Sequence, residues 1–287
     1  MSTVLKLVQG SANWHAYRSA MRNASESSAV LGVSPWTTPY QLWLIKTGRQ
    51  VQAANAAMMR GTELEPAART AYEDLTGNIM QPLVLQDGRY SASLDGLTLD
   101  GKTILEIKVP MRGRQSTLWK DVEVGRVPVH YELQIQHQLM VSRAEIAHLW
   151  VSDGSEGVLY PISRDEAVMA SIREAWDGFQ HHLDSDTPPP LVDGDTVKRE
   201  DANWSAAAAL YLVAKREAEV ADVKVDVAKQ VLVALCNHPR EQGAGVSVTR
   251  YWKVGNVDYK KIPELKVVEL DKYRGAAREE VRITASK

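Results

Sequence analysis

The sequence predicts an α/β fold, with a central mixed β-sheet flanked by helices, followed by a C-terminal extension with a long helix and a β-hairpin. Three observations carry this reading. Short apolar runs alternate with amphipathic stretches through the first two thirds of the chain, the order that builds a sheet covered by helices. Asp100-Gly101 stands between two apolar runs, a strong hairpin signal. Pro188-Pro189-Pro190 then breaks the pattern, because three prolines continue neither a helix nor a central strand and form a stiff extended spacer.

The elements follow in order. Residues 14–20, 24–31, 39–46 and 58–76 read as helices. In the last of these, Gly61-Thr62-Glu63-Leu64-Glu65-Pro66 opens an amphipathic segment with acids in its first turn, and Gly77 closes it. Strands are expected at 82–85, 90–94 and 103–109, a helix at 131–141, strands at 146–151 and 157–162, and a helix at 164–183. Beyond the prolines, residues 203–237 read as one very long helix or a broken pair, without internal Pro or Gly and stopped by Pro239. Val223, Val225 and Val227 alternate there, a spacing that also suits a strand. Residues 245–252 and 257–259 flank Gly255-Asn256, a second hairpin signal, and residues 281–285 could add a terminal strand. The expected organisation is a core over 1–187, a proline-rich linker over 188–195 and the extension over 196–287.

Composition sets limits. With 44% apolar and 24% charged residues in 287, the chain is ordinary for a soluble globular protein of one large domain or a domain with an extension. The single cysteine, Cys236, rules out an internal disulfide and fits a reducing, intracellular setting. Its neighbours Val231-Leu232-Val233-Ala234-Leu235 make it a buried helix thiol rather than a nucleophile. No run approaches the roughly 18 apolar residues of a membrane span, and Met1–Lys6 lacks a long apolar signal region. A net charge of −2 argues against a generic basic nucleic-acid binder, although an enzyme that concentrates acids at a metal site escapes that objection. Lys102, Lys108, Arg112, Arg114, Lys120 and Arg126 give one locally basic stretch.

The chemistry concentrates in Ser93-Leu94-Asp95-Gly96-Leu97 and Leu105-Glu106-Ile107-Lys108-Val109. Residues i and i+2 of a strand share a face, so Glu106 and Lys108 point together, and the Asp100-Gly101 turn brings Asp95 beside them on the partner strand. Carboxylate oxygens suit magnesium, which prefers octahedral oxygen ligands, and a lysine can stand beside an attacking water. A lone acid-x-lysine triplet is most often an exposed strand face. Here it has company. Gln9-Gly10-Ser11, Trp14-His15-Ala16-Tyr17-Arg18, Asn23-Ala24-Ser25-Glu26 and the Gly61–Pro66 helix opening precede it, and Gln134-Ile135-Gln136-His137-Gln138 follows on a helix. In this order and at these spacings the set resembles the YqaJ-like viral recombinases, relatives of lambda exonuclease with a restriction-endonuclease-like core. The resemblance runs from about Gln9 to about His182.

That resemblance implies residue roles. Asp95 would bind or bridge two magnesium ions, with manganese able to substitute. Glu106 and the backbone carbonyl of Ile107 would hold the ion that activates water, and Lys108 would orient that water. Glu65 would support a metal directly or through water. Glu63, two residues away and about 200° round a helix, competes for that place. Gln134 and Gln136 would hold the scissile phosphate or the lysine. Arg18 and Ser25 would form a pocket for a 5′-phosphate, which Arg22, four residues on, could join or replace. His137 reads as structural, His181-His182 as an isolated pair, and Trp14 and Trp36 as core or groove wall. The implied activity is magnesium-dependent 5′-to-3′ digestion of double-stranded DNA from its ends, leaving 3′ overhangs for phage-type recombination beside a single-strand-annealing protein. A ring-shaped homotrimer and a phage or prophage gene expressed in a bacterial cytoplasm are implied too. The alternatives are an endonuclease or a single-strand exonuclease of the same superfamily, or a DNA-binding module with a decayed site. The presence of Asp95, Glu106 and Lys108 argues against decay, and one cysteine cannot hold an iron–sulfur cluster.

Overall fold

A computed structural model describes residues 2–51, 56–253 and 255–276. The chain divides into two compact units, residues 1–196 and 197–287. In the first unit the order is β1 (Thr3–Leu5), α1 (Ala12–Ser19), β2 (Arg22–Asn23), α2 (Ser27–Val30), α3 (Pro39–Lys46), α4 (Ala56–Thr76), β3 (Met80–Asp87), β4 (Tyr90–Thr98), β5 (Thr103–Lys108), α5 (Thr117–Glu123), α6 (Val129–Ser142), β6 (Ile146–Ser152), β7 (Gly157–Ser163) and α7 (Glu166–Asp184). The α/β class holds. The strands form one sheet in the order β1-β3-β4-β5-β6-β7, with β2 on β4. β5 and β6 run parallel and their other neighbours antiparallel, so the sheet is mixed.

Alternation along β5 divides the core. Leu105 and Ile107 pack with Ala68 and Tyr72 of α4 and with Trp150. Ile104 packs on the opposite face with Ile135 and Leu139 of α6. A further cluster joins Leu42 and Trp43 of α3 to Ile172, Trp176 and Phe179 of α7. Glu106 therefore points to the α6 face while both its neighbours point to the α4 face. The β4–β5 turn forms as its sequence predicts. Gly101 takes φ +72°, its N–H reaches the Thr98 carbonyl at 2.9 Å, and Asp100 accepts from Thr98 Oγ1 at 2.6 Å.

The β4–β5 ladder is short, pairing only Gly96 with Leu105 and Leu97 with Ile104. At the next step the Asp95 carboxylate takes over, its Oδ2 accepting from the Ile107 N–H at 2.7 Å. Gly96 is required there, because a Cβ at that position would lie 2.6 Å from Met80 Cβ.

Several expectations change. Residues 24–31 form a 3-10 turn followed by the four-residue α2 rather than one helix. α5, β1 and β2 were not expected. The stretch 188–195 belongs to the first unit rather than spanning free of it. Pro189 is buried, Thr38 Oγ1 donates to Asp195 at 2.5 Å, and the Gln41 amide reaches the Gly194 carbonyl at 3.4 Å.

In the second unit α8 (Ala202–Leu235) is one unbroken helix. Asp201 caps it through the Trp204 N–H at 3.0 Å, and Arg250 Nη2 reaches the Val233 carbonyl at its far end, at 2.7 Å. The hairpin is β8 (Arg240–Gly243) with β9 (Val246–Thr249), turning at Ala244-Gly245 rather than Gly255-Asn256. Both turn residues have positive φ, +49° and +81°, the geometry that suits a two-residue hairpin. Cys236 is the C-terminal cap of α8 and partly exposed, not a buried helix thiol. The expected strand at 281–285 lies outside the described residues.

Candidate active site

A cavity of about 290 Å³ opens where β4, β5, α1, α4 and α6 meet, and Arg18, Ser25, Glu65, Asp95, Glu106 and Lys108 line it. The sequence separates these residues by up to 90 positions. The fold brings all six together.

Glu106 is 2% exposed, and both of its oxygens are held. Oε1 accepts from Gln134 Nε2 at 2.6 Å and from the Lys108 ammonium at 2.5 Å. Oε2 accepts from Gln138 Nε2 at 2.6 Å. The two glutamines are four apart on α6 and so share one face. Gln136 points elsewhere. Its amide donates to the Ser163 carbonyl at 2.8 Å and its Oε1 accepts from the Asp165 N–H at 2.9 Å, tying α6 to the start of α7. The expectation that Gln136 contacts substrate is therefore corrected, and Gln138 is the residue it displaced. The signal was available, since a helix that presents Gln134 presents Gln138.

Burial first, and then the charges of Glu106 and Glu65, push the Asp95 carboxyl well above the ordinary carboxylate range, with Lys108 and the Ile107 N–H pulling back. Glu65 is also raised, chiefly by burial, against the pull of Arg69. Lys108 is opposed by its burial, but Glu106 and Asp95 outweigh that and raise it. It stays a cation. Its ammonium also lies 5.0 Å from the centre of the Tyr131 ring and 3.4 Å from Gln134 Oε1.

Glu65 lines the cavity while Glu63 is exposed. Glu65 forms an ion pair with Arg69, whose Nε donates to the Asp95 carbonyl at 2.6 Å. Arg69 was not singled out in the sequence, though its position four residues after Glu65 on a helix is the usual pairing distance.

Arg18 Nη2 donates to Ser25 Oγ at 2.8 Å, and its guanidinium lies over the Trp14 ring at 4.5 Å. Trp14 is a wall of the cavity, fixed by its Nε1 donating to Ser93 Oγ at 3.0 Å. Gln9 is tied to the Leu94 carbonyl at 3.3 Å. Arg22 is not part of this pocket. It is buried, and its Nη1 donates to Asp177 Oδ1 at 2.7 Å and to the Tyr90 hydroxyl at 2.9 Å. Trp36 is exposed, edge-on to His130 at 4.7 Å. Of the basic stretch around the motif only Lys108 lines the cavity. Lys102, Arg114 and Arg126 pair with Glu145, Glu156 and Asp121. His137 is fully buried against Ser27 Oγ at 2.7 Å.

Among the described residues no three His, Cys, Asp or Glu side chains form a ready-made metal cage. Two carboxylates, Asp95 of β4 and Glu106 of β5, line the cavity, and burial first and then the Glu106 charge raise the Asp95 pKa. Such a pair suits a hydrated magnesium ion, which typically takes one or two carboxylates and keeps several waters. The residues present fit that ion.

A carboxylate pair and a charged lysine thus stand on neighbouring strands of a mixed sheet, beside an arginine–serine pocket. Residues 13–145, within the first unit, match the family model of the YqaJ-like viral recombinase domain. The chain is 27% identical over 197 residues to the uncharacterized protein YqaJ of Bacillus subtilis, a match that covers 65% of this chain and 60% of that protein. It spans less than two thirds of that relative's length. Its fold is similar to an alkaline exonuclease, LHK-Exo, from Laribacter hongkongensis, at 28% identity and TM-score 0.53, over 62% of this chain and 94% of that one. A structure of LHK-Exo in complex with dAMP matches over the same shares at 26% identity and TM-score 0.53.

Proposed function

We propose that the first unit is a magnesium-dependent exonuclease that binds ends of double-stranded DNA and degrades the 5′-ended strand, leaving 3′ overhangs. The observation that carries this reading is one cavity holding both the Asp95–Glu106–Lys108 group and the Arg18–Ser25 pair. A site that recognises a terminal phosphate beside a hydrolytic centre acts on ends. Asp95, Glu106 and the Ile107 carbonyl would hold a divalent cation, which when bound would supply Lewis acidity and a more acidic water.

This chain's own residues do the rest. Gln134 and Gln138 fix both oxygens of Glu106, so the carboxylate is oriented before substrate arrives. Lys108 keeps its proton, so it stabilises the charge growing on the phosphoryl oxygens and orients the attacking water rather than acting as a base. Arg18 offers a planar guanidinium and Ser25 a hydroxyl to a phosphate. Glu65 sits at the cavity rim and, with Arg69, sets the charge balance around Asp95. The resemblance to YqaJ-like recombinases supports a role in recombination with a single-strand-annealing protein, and assembly as a homotrimer.

The test is product analysis on linear and circular duplexes, with and without a 5′-phosphate. Linear 5′-phosphorylated DNA should be degraded and circular DNA should survive. The wild type should favour the 5′-phosphate by roughly tenfold to a hundredfold, the scale of one charge-assisted contact, and Arg18→Ala should erase most of that preference. Cleavage of circles would make the protein an endonuclease, and a preference unchanged in Arg18→Ala would move the phosphate pocket elsewhere.

A further inference from the structure

A second cavity, of about 790 Å³, lies at the other end of the strand and helix that build the site. β4 runs from Tyr90 in this cavity to Asp95 in the first, and α6 from Gln134 in the first to Met140 in this one. The two linings come nearest at Tyr90 and Ser93 of β4, three residues or about 10 Å apart, and at Gln138 and Met140 of α6, two residues or about 3 Å apart. The step along the strand equals the rise of about three base pairs of duplex, at about 3.4 Å per pair.

Arg22, Arg89, Arg143, Arg164 and Arg173 line this cavity against two carboxylates, Asp87 and Asp177, and no lysine. On a chain of net charge −2 this is a marked local excess of positive charge. The guanidinium groups are only partly occupied. Arg143 pairs with Asp87 at 3.0 Å and Arg22 with Asp177 at 2.7 Å. Buried Arg22 Nε has no hydrogen-bond partner among the described residues. Arg164 pairs with Glu166 at 2.8 Å and holds the Leu139 and Ala144 carbonyls at 2.8 and 3.2 Å. Arg173 comes only within 3.9 Å of Glu166. Arg89, exposed on the β3–β4 turn, makes no ion pair among the described residues. Exposed ion pairs are weak and screened by salt, so a stronger anion can take their place.

We propose that this arginine cavity binds the sugar–phosphate backbone of DNA a few base pairs from the scissile bond. The proposal rests on the nuclease reading and extends it to a second contact. Two observations favour phosphate over an acidic peptide. Every cation in the lining is a guanidinium, whose flat fork matches phosphate oxygens. The cavity also shares β4 and α6 with the hydrolytic centre, and the nuclease reading already supplies a phosphodiester ligand for this protein.

The experiment uses the full chain, a short 5′-phosphorylated duplex and calcium in place of magnesium. Binding is measured over a range of KCl concentrations for the wild type and for the Arg89→Ala/Arg173→Ala double variant. Both side chains are surface groups, and circular dichroism checks the fold. Loss of two phosphate contacts should lower the slope of log K against log salt by about 1.8, at about 0.9 per contact. In magnesium the defect should fall on KM rather than kcat. Wild-type affinity and slope in the double variant would overturn the proposal while leaving the nuclease reading intact. Loss of polyglutamate binding with DNA binding unchanged would also overturn it, and would make this face a protein-docking surface. If the wild type neither binds nor cuts DNA, the nuclease reading fails and takes this proposal with it.

Discussion

The two units of this chain draw on the same kinds of residue and use them in opposite ways. In the first, Trp150, Trp176 and Tyr72 are at most 2% exposed, and β5, which carries Glu106 and Lys108, is pinned by apolar packing on both faces. In the second, α8 buries no residue along its 34 positions, and Leu210, Val220, Val223 and Leu235 stand more than half exposed. The first unit is held by removing apolar surface from water. α8 is held by local terms: an aspartate cap, an arginine on its terminal carbonyls, an alanine run, and Lys–Glu and Lys–Asp pairs within a turn. Precise placement of reactive groups needs the first kind of stability.

The largest test of that contrast is catalytic. Lys108→Ala should lower DNA cleavage by about 10²–10³-fold, the usual effect of removing one preorganised charge stabiliser. A chain ending at Thr196 should still fold and cleave. Loss of activity on truncation with Lys108 intact would show that the extension completes the chemistry.

A smaller difference should appear in stability. Trp150 packs on Tyr72 at 6.0 Å and donates to the Ala68 carbonyl at 2.9 Å, so Trp150→Ala should cost about 3–5 kcal/mol. Val220→Ala, on the open face of α8, should change stability by less than about 0.5 kcal/mol. Urea titration of both variants decides it. A large loss at Val220 would show that α8 is covered in solution.

The smallest effect concerns pH. Burial holds His137 at about 3, far below the ordinary 6.5. The unfolded chain takes up a proton as pH falls through 6.5, while the folded chain does so only near 3. The stabilising contribution is therefore complete above about pH 6.5 and declines at lower pH, by up to about 1.4 kcal/mol per unit. Asp95 and Glu65, raised in the fold, act in the opposite sense. They are common to wild type and His137→Gln, so the difference between the two proteins isolates the histidine. Equal pH dependence in the two would mean that His137 takes up its proton as readily in the fold as in the unfolded chain.

Much of this was legible in the sequence, for reasons that can be named. The Asp100-Gly101 turn set the β4–β5 register, and strand alternation then placed Glu106 with Lys108. Helix geometry let only one of Glu63 and Glu65 face the site, and the resemblance to the YqaJ-like recombinases favoured Glu65, the one that lines the cavity. What escaped depended on tertiary partners. Arg22 and Arg18 look alike on a short segment, and only Asp177, 155 positions away, shows where Arg22 is held. The prolines at 188–190 read as a spacer because their docking depends on Thr38 and Gln41, far back in the chain. The second hairpin was misplaced because Ala244 adopts a backbone conformation in which glycine or asparagine is the usual sign.

One consequence of the short β4–β5 ladder concerns mechanics. The sheet is two panels, β1-β3-β4 and β5-β6-β7, stitched at only two paired positions, and the two reactive carboxylates sit on opposite sides of that stitch. A sheet with a full ladder would set their separation once, on folding. Here only those two pairs and the Asp95–Ile107 bond at 2.7 Å join the panels at the site, so a slight flexing of one panel against the other would open or narrow the gap between Asp95 and Glu106, as the jaws of a caliper move about a joint. An ion gripped by both jaws would stiffen the joint, so the protein itself should grow more rigid along this line when its cation is in place.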